Sequence, residues 1–406
     1  MAKKEITPET IDFIEAHAED NVQTLALRAS RYPKVNMATA IIQIAARQTA
    51  RTKLPTWWET TGIRYPSHLA MEQCSSEVTA QYKATLIPQE LKNGSFTDLS
   101  GGFGVDFACM AQGFSQATYV ERQEELCVLA THNLPLLGLP EAQVVNADSV
   151  KYLEEMPLQS VIFIDPARRD LKGRKTVSII DCEPNLCRIH ELLTDKAKRV
   201  IVKLSPMLDI SQALEQLPHV REVHVVAVGG ECKELLLVME AEATSDNARI
   251  ICTNLPTSTP TSWPTPFSFT RQEEEEANCP IATEVATYLY EPNSVLLKAG
   301  AFRLIAAQYK VEKLHPNSHL YTSHHLISDF PGRSFEVIGQ GGFGKRETKN
   351  LLESVKKANI TVRNFPSSVA DLRKRMKLAE GGDDYLFATT LSQEEKRWIL
   401  CKKTNV

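Results

Sequence analysis

The spacing of apolar positions divides the chain into three stretches. Up to about residue 88, apolar residues recur at helical spacing, as from Met37 to about Arg51. From there to about residue 243, short β-branched or apolar runs alternate with helical stretches, which predicts βαβ units around a parallel sheet. After that, helix and strand signals mix without alternation, which predicts an α+β region. We therefore expect a helical domain, an α/β domain, a linker with a small α+β region and a C-terminal α+β domain, at residues 1–88, 89–243, 244–330 and 331–406.

The end of the alternating stretch departs from the βαβ pattern. The runs Glu222–Val228 and Glu234–Met239 are separated only by Gly229–Lys233, which is too short for a helix. Two strands joined so closely must be antiparallel. The pattern therefore predicts an antiparallel hairpin at the end of an otherwise parallel sheet, which a plain dinucleotide-binding domain does not require.

Composition and charge narrow the class of protein. The 406 residues have a formal net charge of −4 and are 43% hydrophobic, which is typical of a globular protein and not of a disordered or collagen-like chain. The start of the chain has no apolar leader segment, and no run reaches the roughly 18 apolar residues of a membrane span. Nine scattered cysteines argue against a disulfide framework and favour the cytoplasm. Any nucleic acid must bind through a local basic patch.

A glycine-rich turn follows the first predicted strand of the α/β domain, over Asp98–Asp106 (DLSGGFGVD). Its small residues let the backbone approach a ligand closely and adopt positive φ. The predicted helix that follows offers unpaired backbone N–H groups to an anionic group. A glycine-rich turn alone is also compatible with a purely structural role.

Acidic residues follow the next three predicted strands. Glu121 ends the second strand, where a carboxylate can accept both hydroxyls of a ribose. Asp148 follows the third strand and could receive an adenine amine or cap a helix. Asp165 ends the fourth strand and begins the run Asp165–Arg169 (DPARR). Because ligands bind at the carboxyl ends of parallel strands in open α/β sheets, we expect these residues to form one site.

In this order, the elements resemble the class I S-adenosylmethionine-dependent methyltransferases over residues of about 72–243. The resemblance implies a Rossmann-like α/β fold with a seven-stranded sheet, an antiparallel last strand, and S-adenosyl-L-methionine as cofactor. It assigns the segment Glu72–Glu77 to closing over the methionine end of the cofactor, with a helix cap as the alternative. The cofactor-binding residues that it implies are Asp98, Ser100, Gly101, Gly102, Phe103, Gly104, Glu121, Ala147 and Asp148.

The Asp-Pro element resembles the substrate-facing motif of the same family. The resemblance makes Asp165 the residue that orients or deprotonates the acceptor, with Pro166 and Arg168 beside it in the catalytic group. Arg168 and Arg169 could bind phosphate or stack on a base, or form a structural salt bridge. The aromatic residue of base-amine methyltransferases is missing here. The form also resembles RNA uridine C5-methyltransferases, but the segment 203–207 (KLSPM) lacks their cysteine nucleophile.

The C-terminal part resembles the THUMP-like domain of a bacterial methyltransferase group, through Asn364–Pro366, Leu372–Arg375 and Gly381–Thr390. THUMP domains accompany RNA-modifying enzymes. Residues 345–377 hold ten basic and three acidic side chains, a local charge of +7. Such a patch is suited to phosphates, although a solvated helix face is the alternative. The predicted substrate-binding residues here are Arg373, Lys374 and Arg375.

Two further motifs are incomplete. Gly339–Arg346 matches a phosphate-binding loop but has Arg where Ser or Thr is needed for Mg²⁺, and Cys182 and Cys187 have no second pair for zinc. We therefore expect no metal site.

The sequence predicts a methyltransferase that modifies RNA (tRNA or rRNA) rather than DNA, with no membrane partner. A methyltransferase of proteins or small molecules, and a catalytically silent RNA-binding protein on the same scaffold, are the alternatives.

Overall fold

The protein is described by a computed structural model over residues 6–168 and 178–404. The chain divides into two compact units. The first comprises Met1–Gly229, Lys233–Ala248 and Leu255–Pro264, and the second comprises Gly230–Cys232, Arg249–Asn254 and Thr265–Val406. Of the predicted phosphate-binding residues, Arg169 and the side chain of Arg168 lie outside the described part of the chain.

The helices and strands of the described residues are as follows. The helices are α1 (Pro8–Ala16), α2 (Val22–Leu27), α3 (Met37–Lys53), α4 (Pro55–Glu59), α5 (His68–Gln73), α6 (Glu77–Thr85), α7 (Val105–Met110), α8 (Glu124–Leu136), α9 (Ser149–Glu155), α10 (Leu186–Lys196), α11 (Ile210–Gln216), α12 (Arg271–Glu276), α13 (Ser294–Ala299), α14 (Phe302–Tyr309), α15 (Lys345–Leu351) and α16 (Val369–Met376). The strands are β1 (Ser95–Asp98), β2 (Gln116–Glu121), β3 (Gln143–Asn146), β4 (Gln159–Ile164), β5 (Ala167–Arg168), β6 (Cys182–Glu183), β7 (Ala197–Leu204), β8 (Val220–Val228), β9 (Glu231–Met239), β10 (Arg249–Leu255), β11 (Phe267–Phe269), β12 (Tyr288–Pro292), β13 (Glu312–Lys313), β14 (Tyr321–Ser323), β15 (Gly332–Gly341), β16 (Asn359–Val362), β17 (Asp384–Thr390) and β18 (Lys396–Lys403).

The sheet of the first unit has the predicted arrangement. Within a nine-stranded sheet, the seven strands of this unit lie in the order β3-β2-β1-β4-β7-β9-β8. Strands β1 to β4 and β7 are parallel, and Asp98 is in register with Tyr119 on one side and Phe163 on the other. Strand β9 is antiparallel to β7, and only Gly229 and Gly230 separate it from β8. The Rossmann-like sheet with an antiparallel last strand is therefore confirmed, and the carboxyl ends of β1 to β4 share one edge.

One hydrophobic core joins this sheet to the N-terminal helices. Phe96, Phe163 and Ile201 are buried at its centre, and the same cluster includes Leu54 and Trp57 from the α3–α4 segment. These helices bury their apolar faces against the sheet, which removes apolar surface from water on both sides. The first unit therefore extends over both the helical and the α/β stretches, while the four domain boundaries given above stay a prediction.

The second unit is built on another sheet, in the order β13-β14-β12-β15-β18-β17-β16. Strands β16 and β17 are parallel, and the other neighbouring strands of this sheet are antiparallel. Phe335, Phe387 and Ile399 are buried at its core. Gly339–Arg346 comprises the end of β15, the turn that follows it and the start of α15. In the described ranges, no helix has the length and apolar character needed to cross a membrane.

Candidate active site

The glycine-rich loop after β1 lies directly over β2. A Cβ atom on Gly101 would stand 2.2 Å from the ring of Tyr119, so only glycine fits there. The Gly101 N–H donates to Val120 O at 2.9 Å, and Tyr119 Oη donates to Gly102 O. Gly104 adopts φ +91° at the start of α7, a conformation that glycine reaches without steric cost. The loop is therefore held as a close backbone cradle.

Glu121 brings a buried carboxylate to this loop from the end of β2. Its Oε2 accepts the Gly102 N–H at 3.0 Å, and its Oε1 accepts the Gln123 N–H at 2.9 Å. Its carbonyl oxygen accepts the Ala147 N–H at 3.2 Å, which connects the loop after β3. An ionised carboxylate has about four acceptor positions, so each oxygen keeps one for a further donor.

Two predicted cofactor residues have structural roles. Asp148 is exposed and caps α9, because its Oδ1 accepts the Val150 and Lys151 N–H groups, each at 3.1 Å. The helix-cap interpretation is thus confirmed, and an adenine contact stays a prediction. The Phe103 side chain is buried, with its ring centroid 4.6 Å from that of Trp57. It anchors the loop in the core, and only its backbone is available to a ligand.

Ser100 connects the carboxylate after β1 to the loop after β4. The Oδ1 atom of Asp98 accepts from Ser100 N at 2.9 Å and from Ser100 Oγ at 3.2 Å. The same hydroxyl accepts the Asp165 N–H at 2.6 Å. Burial raises the pKa of Asp98 to about 8. The hydrogen bond from the Ser100 N–H lowers this pKa, and the nearby Asp106 carboxylate raises it further. An uncharged Asp98 is thus favoured at neutral pH until a cation approaches.

Five charged side chains form an alternating chain that ends at Asp165. Lys83 Nζ lies 2.8 Å from both carboxylate oxygens of Glu234 and 3.1 Å from Asp106 Oδ1. Lys203 Nζ lies 3.4 Å from Asp106 Oδ2 and 2.6 Å from Asp165 Oδ2. We call this set, Glu234–Lys83–Asp106–Lys203–Asp165, the ion chain. With three carboxylates and two ammonium groups, it has one excess negative charge when fully ionised.

Two members of the ion chain, Asp106 and Lys203, are kept charged by their neighbours although both are largely buried. Burial alone would raise the pKa of Asp106, but Lys83 and Lys203 hold it below its ordinary value. Burial likewise opposes the charged form of Lys203, but Asp165 and then Asp106 raise its pKa well above its ordinary value. Lys203 is therefore an ammonium group at any physiological pH.

The segment Glu72–Glu77 supports the same region. Ser76 caps α6, because its Oγ accepts the Thr79 N–H at 3.4 Å. The neighbouring Ser75 donates its hydroxyl to Asp106 Oδ2 at 2.7 Å and accepts from Lys83 Nζ at 3.2 Å. The helix-cap interpretation is thus confirmed for Ser76, and Ser75 belongs with the ion chain. Closure of this segment over a cofactor stays a prediction.

The predicted substrate-binding residues of the second unit differ in exposure. Lys374 and Arg375 are exposed at the end of α16. Arg373 is half-buried, and its Nη1 donates to Ala358 O at 3.2 Å. Arg373 therefore has a structural contact within its own unit, whereas the other two side chains extend into solvent.

Among all the residues that the structure describes, no group of three or more His, Cys, Asp or Glu residues is placed to hold a metal ion.

Comparisons with known proteins identify the family. Residues 288–331 match a ferredoxin-like domain family, and residues 332–403 match the THUMP domain-like family. The crystal structure of a “putative methyltransferase from Porphyromonas gingivalis W83” is 37% identical to this chain, covers 100% of both chains and superposes with a TM-score of 0.86. The chain belongs to the class I S-adenosylmethionine-dependent methyltransferase family with a C-terminal THUMP-like domain. No curated relative matches it.

Two other methyltransferase structures resemble parts of this family member. The “putative methyltransferase yhhF from Escherichia coli” is 18% identical, with a TM-score of 0.30, over 44% of this chain and 89% of that one. An rRNA methylase from Streptococcus thermophilus is 12% identical, with a TM-score of 0.30, over 40% of this chain and 94% of that one. At these values the similarity says nothing about the substrate.

Proposed function

We propose that the protein is an S-adenosylmethionine-dependent methyltransferase that modifies RNA. The observation that carries the proposal is the convergence of the glycine loop, Glu121, Asp98 and Asp165 at one edge of the first sheet. Methyl transfer requires a donor and an acceptor to be held side by side, with groups placed where charge develops. The loops after β1 and β2 supply the donor side, and the loop after β4 supplies the acceptor side.

The residues present fit the cofactor. The close backbone at Gly101 provides a surface on which a flat ligand can lie, and Glu121 keeps acceptor positions for ribose hydroxyls. When bound, S-adenosylmethionine supplies a methyl group on a positively charged sulfonium. The excess negative charge of the ion chain and the buried Asp98 carboxylate would stabilise such a cation, because opposite charges in a partly buried site are weakly screened.

Binding of S-adenosylhomocysteine and S-adenosylmethionine tests the cofactor part of the proposal by calorimetry. The intact protein should bind both. Asp98→Ala and Glu121→Ala should each weaken binding at least about tenfold, which corresponds to the loss of one charge-assisted hydrogen bond. Glu125→Ala, on the exposed face of α8, is the matched control and should bind normally. Absence of binding by the intact protein would refute the assignment.

The basic segment and the THUMP-like family match support RNA as the substrate. Of the basic side chains in residues 345–377, Lys374 and Arg375 are among the exposed ones and can contact phosphates. The test is transfer of a labelled methyl group to the fractions of a lysate from cells that lack the gene. Label in tRNA or rRNA supports the proposal. Label in protein or small molecules alone would favour the other methyltransferase interpretation.

A further inference from the structure

We propose that the methyl acceptor is a hydroxyl oxygen, the ribose 2′-hydroxyl of RNA, and that Lys203 and Asp165 act on it as a pair. The inference rests on the proposed function and goes beyond it, because it names the acceptor atom. It would make Lys203 a catalytic residue, a role that sequence patterns did not assign to it.

The pair lies where an acceptor must approach. Asp165 directly follows β4, Lys203 lies near the end of the neighbouring parallel strand β7, and their charged atoms are 2.6 Å apart. Both side chains are partly exposed, 37% for Asp165 and 14% for Lys203, whereas Lys83 behind them is fully buried. The Asp165 N–H bond to Ser100 Oγ places the pair beside the cofactor loop. A substrate atom at this edge would therefore meet both a carboxylate and an ammonium group.

The ammonium group discriminates between acceptor atoms by the sign of the charge that develops. Methylation of a neutral amine leaves a positive charge on nitrogen, which a neighbouring ammonium opposes. Methylation of a hydroxyl builds negative charge on oxygen as its proton leaves, and an ammonium stabilises that charge. A carbon acceptor of the covalent type requires a thiol, and the segment 203–207 has none. Lys203 therefore favours an oxygen acceptor.

The proposed methyl transfer requires only Asp165, Lys203, the substrate hydroxyl and the cofactor. The hydroxyl proton passes to the Asp165 carboxylate while Lys203, which keeps its protons, donates a hydrogen bond to the oxygen. The oxygen forms a bond to the methyl carbon as the carbon–sulfur bond breaks, and the electron pair of that bond goes to sulfur, which becomes a neutral thioether. Asp165 then releases its proton to water and is again a carboxylate. No oxidant, reductant or metal ion is required.

The rest of the ion chain positions this pair. Asp106 contacts both lysines, and Lys83 holds Asp106 from the buried side while binding Glu234. Lys203 is therefore held from behind by a fixed carboxylate, so its ammonium group is placed before a substrate arrives, which is the condition for strong electrostatic stabilisation. Among nucleic acids, only RNA carries a 2′-hydroxyl at each ribose. An oxygen acceptor and the basic segment of the second unit are thus both consistent with RNA as the substrate.

The first experiment identifies the methylated atom. The purified full-length protein is incubated with labelled S-adenosylmethionine and total RNA from cells that lack its gene, and the RNA is hydrolysed with alkali. A 2′-O-methyl group blocks cleavage of its own phosphodiester, so the expected label is found in alkali-resistant dinucleotides. Label in mononucleotides means base methylation, which overturns this inference but leaves the RNA methyltransferase standing. Absence of label in RNA overturns both.

The second experiment tests Lys203 itself. Lys203→Met should lower the transfer rate about 100- to 1,000-fold, as removal of one preorganised donor does, and Lys203→Arg should restore part of it. Calorimetric binding of S-adenosylhomocysteine and fluorescence-anisotropy binding of the RNA should stay within about threefold of wild type in both variants, which shows that they are folded. Lys198→Met, exposed on the same strand, is the control and should transfer normally. A Lys203→Met protein that binds both and keeps more than about a third of the rate would refute the role of Lys203.

Discussion

Asp98→Asn should stabilise the protein, and the gain should depend on pH. The folded protein raises the pKa of Asp98 from an ordinary value of 3.8 to about 8. Each pH unit of that displacement corresponds to about 1.36 kcal/mol, so the full difference is about 6 kcal/mol. Because the pKa in the folded state is the higher one, the folded protein binds a proton that the unfolded chain has released. Wild-type stability therefore falls as the pH rises from about 4 to about 8, whereas the asparagine variant has no such proton.

The assay compares urea unfolding of the two proteins at pH 5, 7 and 8.5. The stability of Asp98→Asn relative to wild type should increase by about 4 kcal/mol between pH 5 and pH 8.5, the part of the window that lies in this range. The amide oxygen of Asn can still accept the Ser100 N–H, so the loop should be preserved. Asp195→Asn, exposed on α10, should show no such trend. A difference that stays within about 1 kcal/mol across the three pH values would refute the reasoning.

Three further predictions concern the loop, the ion chain and the basic segment. Gly101→Ala should lower stability by about 1–3 kcal/mol, because its Cβ would overlap the Tyr119 ring, and should abolish binding of S-adenosylhomocysteine; normal calorimetric binding would contradict it. Lys83→Met should cost about 3–5 kcal/mol in urea unfolding, because it leaves the buried Glu234 without its cation and Asp106 with Lys203 alone, and a loss below about 1 kcal/mol would refute the buried pairing. The double variant Lys374→Gln, Arg375→Gln should lower the salt slope of RNA binding by about 2 with its fold unchanged, and an unchanged slope would remove this surface from the RNA interface.

The sheet and the contact between the glycine-rich loop and Glu121 could be predicted from the sequence, because their signals are local. A strand followed by glycines, and acids at successive strand ends, can be recognised within a few residues each, and the short Gly229–Lys233 connection determines that the last strand is antiparallel. The resemblance to methyltransferases rested on these local signals, and the comparison with the Porphyromonas gingivalis structure confirms the family.

The ion chain could not be predicted from the sequence, because its contacts join residues that are far apart along the chain. Lys83 and Glu234 are 151 positions apart, and only the sheet topology brings them together. A signal was present in the sequence: Lys83 lies between Tyr82 and Ala84 in α6, and Lys203 follows the apolar run 200–202 of β7, so both stand beside apolar residues, where a buried charge is costly without a partner. Such lysines predict a buried carboxylate, but they do not say which one. The cap at Asp148 has a local signal, because the residue stands directly before a predicted helix.

The Ser100 hydroxyl has a consequence for the order in which reactants bind. Its oxygen atom forms hydrogen bonds with both the Asp98 carboxylate, at 3.2 Å, and the Asp165 N–H, at 2.6 Å. A cation beside Asp98 lowers its pKa, so that the carboxyl group releases its proton to water and becomes a stronger hydrogen-bond acceptor for the Ser100 hydroxyl. If the proposed function holds, we expect cofactor binding to affect the Asp165 side of the site through this one hydroxyl, with the cofactor binding first and the RNA second.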